Sequence, residues 1–136
     1  MALEPMYPAI ANSPVTQLAN AIDDTVTSIE VVDGSRLPDA PNLATIGRGE
    51  NPETILYTVK NGNVLSGITR GFQGTAQNWQ AGTQVARLFT AHDFEVFREN
   101  ILNLDNDLAT HKADYADLKG YIGYTEGDIY GVEADF

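Results

Sequence analysis

Apolar and polar residues alternate in short runs between residues 15 and 90, and turn residues interrupt these runs. A period of two places every second side chain on one face of an extended strand. β-Branched residues, which favour strands, are frequent in the same runs. The pattern therefore predicts strands at 25–32, 43–46, 53–59, 64–69 and 84–89.

A tight hairpin is predicted where Asn61 and Gly62 separate two of these runs. An Asn-Gly pair favours a type I′ turn, because both central residues of that turn need positive φ. Residues 1–14 contain three prolines and no periodic apolar face, which predicts an extended arm. Residues 15–22 fit either a short helix, capped at Ser13-Pro14, or a strand.

The pattern changes at Thr90, where steps of three and four residues replace the period of two. Thr90 and Asp93 have the spacing of a capping box, and the acid lies near the positive end of the helix dipole. A helix is predicted over 91–119, about 43 Å long at 1.5 Å per residue, with Gly120 as its stop. Its a and d heptad positions form an apolar stripe, which consists of Phe94, Phe97, Ile101, Leu104, Leu108, Tyr115 and Leu118.

Two interpretations of the apolar stripe remain open: it covers the protein's own sheet, or it packs against other molecules. The helix is longer than a small sandwich is wide, so part of it is expected to project or to find a partner. His111 occupies a d position within the stripe. It either sets the register of a helix interface or marks where the stripe opens to solvent.

These elements predict an α+β fold, a small antiparallel β-sandwich or barrel followed by one long C-terminal helix. The expected organisation is a β-rich module with its N-terminal arm at 1–90, the helix at 91–119 and an acidic, aromatic tail at 120–136. The tail is interpreted either as flexible or as a docking peptide whose aromatic residues enter a neighbouring subunit.

The charge distribution bears on the partners of the chain. The formal net charge is −11, and eleven of the nineteen acidic residues but only three of the eight basic ones follow residue 90. A surplus of carboxylates repels phosphates, so no nucleic-acid partner is expected. The chain has no cysteine, which excludes disulfides and thiolate metal sites. No segment is predicted to insert into a membrane.

Candidate catalytic and metal-binding residues are few. His92, Asp93 and Glu95 would need further ligands from elsewhere in the fold to hold a metal, so no metal or other cofactor is expected. The acidic pairs Asp23-Asp24 and Asp105 with Asp107 are interpreted as solvated charges. No nucleophile elbow or phosphate-binding loop occurs, and the chain is therefore expected not to be an enzyme.

Residues 68–83 form a glycine-rich segment, I-T-R-G-F-Q-G-T-A followed by A-G-T. Its glycines permit positive φ, which predicts a tightly folded loop between strands. The segment resembles the T-R-G-x-x-G-T-A loop of bacteriophage tail-fibre and baseplate proteins. Stretches at 33–38, 41–47, 53–58 and 85–91 also resemble a module in tail and baseplate proteins of siphophages that infect Gram-positive hosts.

The resemblance implies a small tail-module protein of a Bacillus-infecting siphophage, located in the virion tail. Its fold would be similar to the shoulder domain of lactococcal phage receptor-binding proteins, with a strand at 15–22. In that family the shoulder fastens a trimeric receptor-binding protein to the baseplate. The implied partners are other tail or baseplate proteins and, through the helix, two further copies in a homotrimer. Too few residues follow the helix for a receptor-binding head domain, so an anchoring or adaptor role is expected.

A carbohydrate-binding module that contacts the host cell wall is the alternative. Phe72, Trp79 and Tyr57 are the candidate residues for stacking on a sugar ring. For Trp79 the structural alternative is that its indole closes the end of the β-rich body beneath the loop.

Overall fold

The computed structural model describes residues 3–122, with side chains up to residue 118. The predicted acidic tail lies, from residue 123 on, outside the described residues. Eight strands and a short 3₁₀ helix precede one long helix. Their bounds are β1 (Val15–Gln17), β2 (Ile29–Glu30), the 3₁₀ helix (Gly34–Arg36), β3 (Asn42–Ile46), β4 (Glu53–Tyr57), β5 (Val59–Asn61), β6 (Val64–Ser66), β7 (Thr69–Gln73), β8 (Gln84–Ala86) and α1 (Ala91–Ile122).

The strands form two antiparallel sheets, and the predicted α+β class is confirmed. The larger sheet has the order β1-β8-β3-β4-β7, and the smaller has the order β2-β6-β5. A single bridge between Leu18 and Val31 links the edge of one sheet to the edge of the other. The strand alternative for residues 15–22 is correct in its first half, since β1 pairs with β8 from Val15 to Gln17.

One hydrophobic core is built from both sheets, which gives the body a sandwich-like layout. Ile46 and Ile55 contribute from the larger sheet, and Ile29 and Leu65 from the smaller one. Each of these four side chains is almost completely buried. The alternation read from the sequence accounts for this, because one face of each strand points inward.

A single bent hairpin supplies strands to both sheets. β4 continues into β5 through Thr58, and β6 continues into β7 through Gly67 and Ile68. At the bend, Thr58 Oγ1 donates a hydrogen bond to the Gly67 carbonyl at 3.0 Å. Gly67 has a φ of +59°, and a Cβ there would collide with Thr58 Oγ1. A glycine is therefore required where the hairpin passes from one sheet to the other.

The hairpin predicted at Asn61 and Gly62 exists, but its turn is shifted by one residue. Asn61 pairs with Val64, so Gly62 and Asn63 are the central residues of the turn. Gly62 has a φ of +61°, whereas Asn63 is not among the described residues with positive φ, which corresponds to a type II′ rather than a type I′ turn. Tertiary contacts account for the shift, because Asn63 accepts hydrogen bonds from Gly34 and Val31.

Two segments differ from the predicted strand pattern. In 25–32 only Ile29–Glu30 is a strand, because the Asp23 carboxylate accepts the N–H groups of Thr25 and Val26 and forms a local turn instead. Conversely, the first part of the predicted 68–83 loop is strand β7. The remaining loop has the expected backbone, since Gly74 and Gly82 have positive φ.

Helix α1 begins as predicted and ends later. Thr90 Oγ1 accepts the Asp93 N–H at 3.1 Å, and Asp93 Oδ2 accepts the Thr90 N–H at 2.8 Å, which is a reciprocal capping box. The helix runs to Ile122, so Gly120 is not its stop. One internal glycine costs only about 1 kcal/mol relative to alanine, which a long helix tolerates.

The chain divides into two compact units. The first, Pro5–Glu95, contains both sheets and the start of α1. The second combines the described residues before Pro5 with α1 from Val96 onward.

Candidate functional site

The apolar stripe of α1 is exposed along its whole length. Its seven side chains each leave between 49 % and 54 % of their surface accessible. Packing within either unit by itself therefore leaves the stripe uncovered. His111 is exposed as well.

A different face of α1 is covered. Val96 and Asn100, one turn apart, are both buried. The Asn100 side chain accepts the Glu4 N–H at 2.8 Å and donates to the Glu4 carbonyl at 3.0 Å. The Asn100 side-chain amide thus bonds both the N–H and the carbonyl of one residue of the arm, as the backbone of a paired strand does. The adjacent apolar stripe stays exposed.

A second feature lies beneath the glycine-rich loop, where one carboxylate holds five donors. Glu53 is completely buried. Its Oε2 accepts from Arg70 Nε at 2.7 Å and from the Gly71 N–H at 2.9 Å. Its Oε1 accepts from Arg70 Nη2 at 2.9 Å, from the Gln77 N–H at 3.1 Å and from the Trp79 indole N–H at 3.0 Å. We call this group the Glu53 cluster; it comprises Glu53, Arg70, Gly71, Gln77 and Trp79.

Arg70 completes the cluster because each of its five N–H groups has an acceptor. Besides Glu53, it donates to the carbonyls of Asp23, Val26 and Gln77. These carbonyls belong to the turn before β2 and to the loop after β7. The guanidinium therefore fixes two irregular segments that make few ladder hydrogen bonds of their own.

The pKa of Glu53 is lowered. Burial by itself raises the pKa of this carboxyl, but the hydrogen bonds from Arg70, Trp79, Gly71 and Gln77 favour the ionised form and outweigh it. The hydrogen bonds to Glu53 and its negative charge raise the pKa of Arg70, so the ionised form of this side chain is favoured as well. The pair is therefore charged at neutral pH, and it stabilises the loop structurally.

Two of the three residues predicted to stack on a sugar, Phe72 and Trp79, are half-buried. The Trp79 ring packs on the core and over Gly47, where a Cβ would lie 2.6 Å from the ring. Phe72 makes an edge contact with His92, with ring centroids 4.8 Å apart. His92 in turn stacks on Tyr7 at 6.1 Å.

Tyr57, the third candidate for sugar stacking, is completely buried, so this prediction is wrong. Its hydroxyl donates to the Pro38 carbonyl at 2.6 Å, and burial raises its pKa. The period-two pattern contained the reason, because Tyr57 lies on the same strand face as the buried Ile55.

A cavity of about 320 Å³ lies beside the loop. Neither Phe72 nor Trp79 is among its lining residues, which are Glu50, Asn51, Pro52, Gly74, Thr75 and Gln77. Within the described residues, no group of three or more His, Asp or Glu could hold a metal ion. No helix in this part of the chain has the length and apolar character that crossing a bilayer requires.

A third feature is a group of polar contacts around Arg87, which joins the arm to the start of α1. Arg87, which is buried, binds both carboxylate oxygens of Asp93 at 2.8 and 2.7 Å. It also donates to the carbonyls of Tyr7 and Pro8 in the arm. Burial raises the pKa of Asp93, but hydrogen bonds from Arg87 and Thr90 outweigh this effect and lower it.

Sequence reasoning missed the Glu53 and Arg87 interactions. The sequence did contain an indication for Glu53, because it lies two residues before Ile55 and four before Tyr57 and so shares their buried face of the strand. A charged side chain on a buried face needs a partner. For Arg87 the alternation of 84–89 placed the residue on a face, but no pattern identified Asp93 as its partner.

Comparison with known proteins adds no assignment. No protein-family model matches this chain, and no curated protein matches it.

Proposed function

We propose that this chain is a non-enzymatic structural protein of a phage tail or baseplate, which anchors a receptor-binding component at the distal tail. The glycine-rich segment and its flanking stretches support the tail context through their resemblance to tail and baseplate modules. The exposed apolar stripe of α1 supports the anchoring role and is the observation that carries the proposal.

The energetics of the stripe indicate what kind of partner it needs. Burying the exposed half of a large apolar side chain contributes roughly 1 kcal/mol, and the stripe has seven such residues. A gain of roughly 7 kcal/mol is comparable with the cost of association, estimated at about 4–15 kcal/mol. A stable complex therefore needs a partner that buries a comparable apolar surface of its own.

The Glu53 cluster fits the same role. An anchoring module must present its loops in one conformation, because ordering a loop on binding reduces affinity. Here a buried ion pair and three further donors fix the glycine-rich loop before any partner binds. We expect this loop to contact the tail as a preformed surface.

A cell-wall carbohydrate-binding module is the second candidate. In that case Phe72 and Trp79 would stack on sugar rings with the ring faces that remain accessible. The indole N–H of Trp79 is already bonded to Glu53, so it is not available to a sugar hydroxyl.

Immunogold labelling of purified particles of a phage that encodes this chain tests the proposal. We expect gold at the distal end of the tail, and labelling absent from the particle would contradict a virion role. A parallel pull-down on purified cell walls separates the candidates, since an anchoring protein stays in the supernatant and a carbohydrate-binding module sediments with the walls. In that assay a Phe72→Ala variant that loses wall binding would favour the second candidate.

A further inference from the structure

The turn between β5 and β6 contains a reactive pair of residues that the proposed function does not use. We propose that Asn61 is a site of spontaneous covalent modification, at which the side chain cyclises onto the nitrogen of Gly62, loses ammonia and is hydrolysed. The only reagent is water, and the products are aspartate and isoaspartate at position 61. The site follows from the turn alone and does not depend on a role in a phage tail.

Gly62 makes its backbone nitrogen an accessible nucleophile. A side chain on the following residue shields that nitrogen, whereas glycine has no Cβ. A Cβ built at Gly62 would have no atom within 4 Å, so the turn faces open space at this point. Asn61 is the only asparagine of the chain that is followed by glycine. The turn therefore combines the most reactive sequence with an open position.

The pairing of the hairpin leaves both reacting groups outside the sheet. Asn61 is exposed, and it pairs with Val64 across the two-residue turn. In such a hairpin the N–H groups of the flanking residues make the closing hydrogen bonds, and the N–H of the first turn residue points away from the ladder. The Gly62 nitrogen is therefore not engaged by the pairing of β5 with β6.

The reaction is balanced without a cofactor. The Gly62 nitrogen gives its proton to solvent and attacks the side-chain carbonyl carbon of Asn61. The bond from that carbon to the amide nitrogen breaks, and the amide leaves as ammonia after solvent returns a proton. Water then opens the five-membered imide. Opening at the side-chain carbonyl gives aspartate, and opening at the original main-chain carbonyl gives isoaspartate.

Attack requires Asn61 to leave its extended conformation, and this end of the hairpin permits it. Strand β5 is three residues long and forms an edge of the smaller sheet. Segments of this kind open locally at a lower free energy than the whole domain unfolds. The folded turn therefore slows the reaction relative to an unstructured peptide but does not prevent it.

Asn63, in the same turn, is a matched internal control. Its Oδ1 accepts the Gly34 N–H at 2.8 Å, and its carbonyl accepts the Val31 N–H at 2.8 Å. The next residue is Val64, whose branched Cβ crowds the nitrogen that would have to attack. We expect Asn63 to keep its amide under conditions that convert Asn61.

Isoaspartate at position 61 should loosen the smaller sheet. It adds one methylene group to the main chain before Gly62, which displaces Asn63 from Gly34 and Val31. Both of these hydrogen bonds join the hairpin to the chain around the 3₁₀ helix. For the loss of two hydrogen bonds, the folding equilibrium constant should fall roughly five- to thirtyfold.

Peptide mapping of the full natural chain tests the site. After incubation at mildly alkaline pH, trypsin releases residues 61–70 as one peptide, because Lys60 and Arg70 precede the two cleavage points. We expect this peptide to gain one mass unit, with fragment ions that place the change at Asn61 and leave Asn63 unmodified. A fresh sample digested in the same way is the blank. If the folded chain keeps the Asn61 amide after a synthetic peptide of residues 57–66 has been converted, the proposal is overturned.

Hydroxylamine identifies the intermediate, because it opens the cyclic imide and cleaves the chain between residues 61 and 62. Under native conditions the natural chain should give the two corresponding fragments. Asn61→Gln should stay intact, because its longer side chain disfavours the ring, and this exposed position tolerates the change. Equal cleavage of both chains would overturn the imide mechanism.

Urea denaturation separates the added methylene from the added charge. Asn61→Asp introduces the charge alone, and when freshly prepared it should unfold at the same urea concentration as the natural chain. The aged natural chain, enriched in isoaspartate, should unfold at a lower concentration. Equal midpoints for the aged and the fresh natural chain would overturn the loosening of the smaller sheet.

Discussion

Arg70 binds Glu53 through two parallel hydrogen bonds, from Nε to Oε2 at 2.7 Å and from Nη2 to Oε1 at 2.9 Å. Both side chains are withdrawn from solvent, with exposed fractions of 7 % and 0 %. A buried pair of this kind is costly to break, because the remaining charge has no other compensation. The pair joins strand β4 to strand β7 and determines how the loop after β7 is held.

Replacing Glu53 by glutamine should destabilise the protein by about 3 kcal/mol. The new amide keeps the size of the carboxyl, but its NH₂ group meets N–H donors and the charge of Arg70 is left unpaired. Urea denaturation measures the change in the free energy of unfolding. Glu50→Gln, at an exposed position nearby, is the control and should change it by less than about 0.5 kcal/mol. Equal effects of the two substitutions would contradict the importance of the ion pair.

Stability should fall on acidification. The folded-state pKa values of Glu53 and Asp93 are lowered, so each carboxylate stabilises the fold above its ordinary pKa and loses this contribution as the pH falls through the folded value. The decline should begin near about pH 5 and continue below it. Denaturation curves at several pH values measure it, and a Glu53→Gln/Asp93→Asn variant should show a shallower decline. An unchanged slope would mean that other carboxylates dominate acid unfolding.

The start of α1 should tolerate the loss of Thr90 better than the loss of Asp93. Thr90→Ala removes one capping hydroxyl, which costs about 1 kcal/mol. Asp93→Ala removes the reciprocal cap and also leaves the buried Arg87 unpaired, for which we expect about 3 kcal/mol. Thermal unfolding compares the two variants, and a larger effect of Thr90→Ala would be inconsistent with the described contacts.

Gly62 and Gly67 allow the cost of crowding to be separated from that of backbone strain. Their φ angles are nearly equal, +61° and +59°, but only at Gly67 would a Cβ meet another side chain, that of Thr58. Gly62→Ala should cost about 1–2 kcal/mol through strain alone, and Gly67→Ala should cost more. Adding Thr58→Ala to Gly67→Ala should recover part of the difference, measured by urea denaturation. If stability does not recover in the double variant, crowding against Thr58 is not the source of the additional cost.

The sequence predicted the elements that depend on local pattern. Alternation identified β4 as a strand, and the spacing of Thr90 and Asp93 identified the start of α1, because both follow from neighbouring residues. The turn at Gly62 was shifted by one residue through contacts with Gly34 and Val31, which lie far away in the chain. The Arg70 and Arg87 pairs likewise depend on which segments the fold brings together, and that information is not contained in any local pattern.

The heptad identified the residues of the apolar stripe, but the sequence did not determine what covers it. Both interpretations use the same periodicity, and they differ only in whether the stripe is exposed in the folded chain. The covered face of α1 contains Asn100 and Val96 rather than the stripe. An asparagine that pairs with the arm backbone gives no apolar signal, which explains why sequence pattern did not identify this face.

Sedimentation equilibrium of the full chain over a range of concentrations tests the central claim, that the apolar stripe of α1 is an association surface, in the form that the resemblance implies, a homotrimer. The natural chain should sediment as a multiple of its own mass, in a concentration-dependent way. An Ile101→Asp/Leu108→Asp variant should sediment as a monomer with an unchanged near-UV spectrum of its folded body. A natural chain that remains monomeric at the highest concentration would contradict the claim.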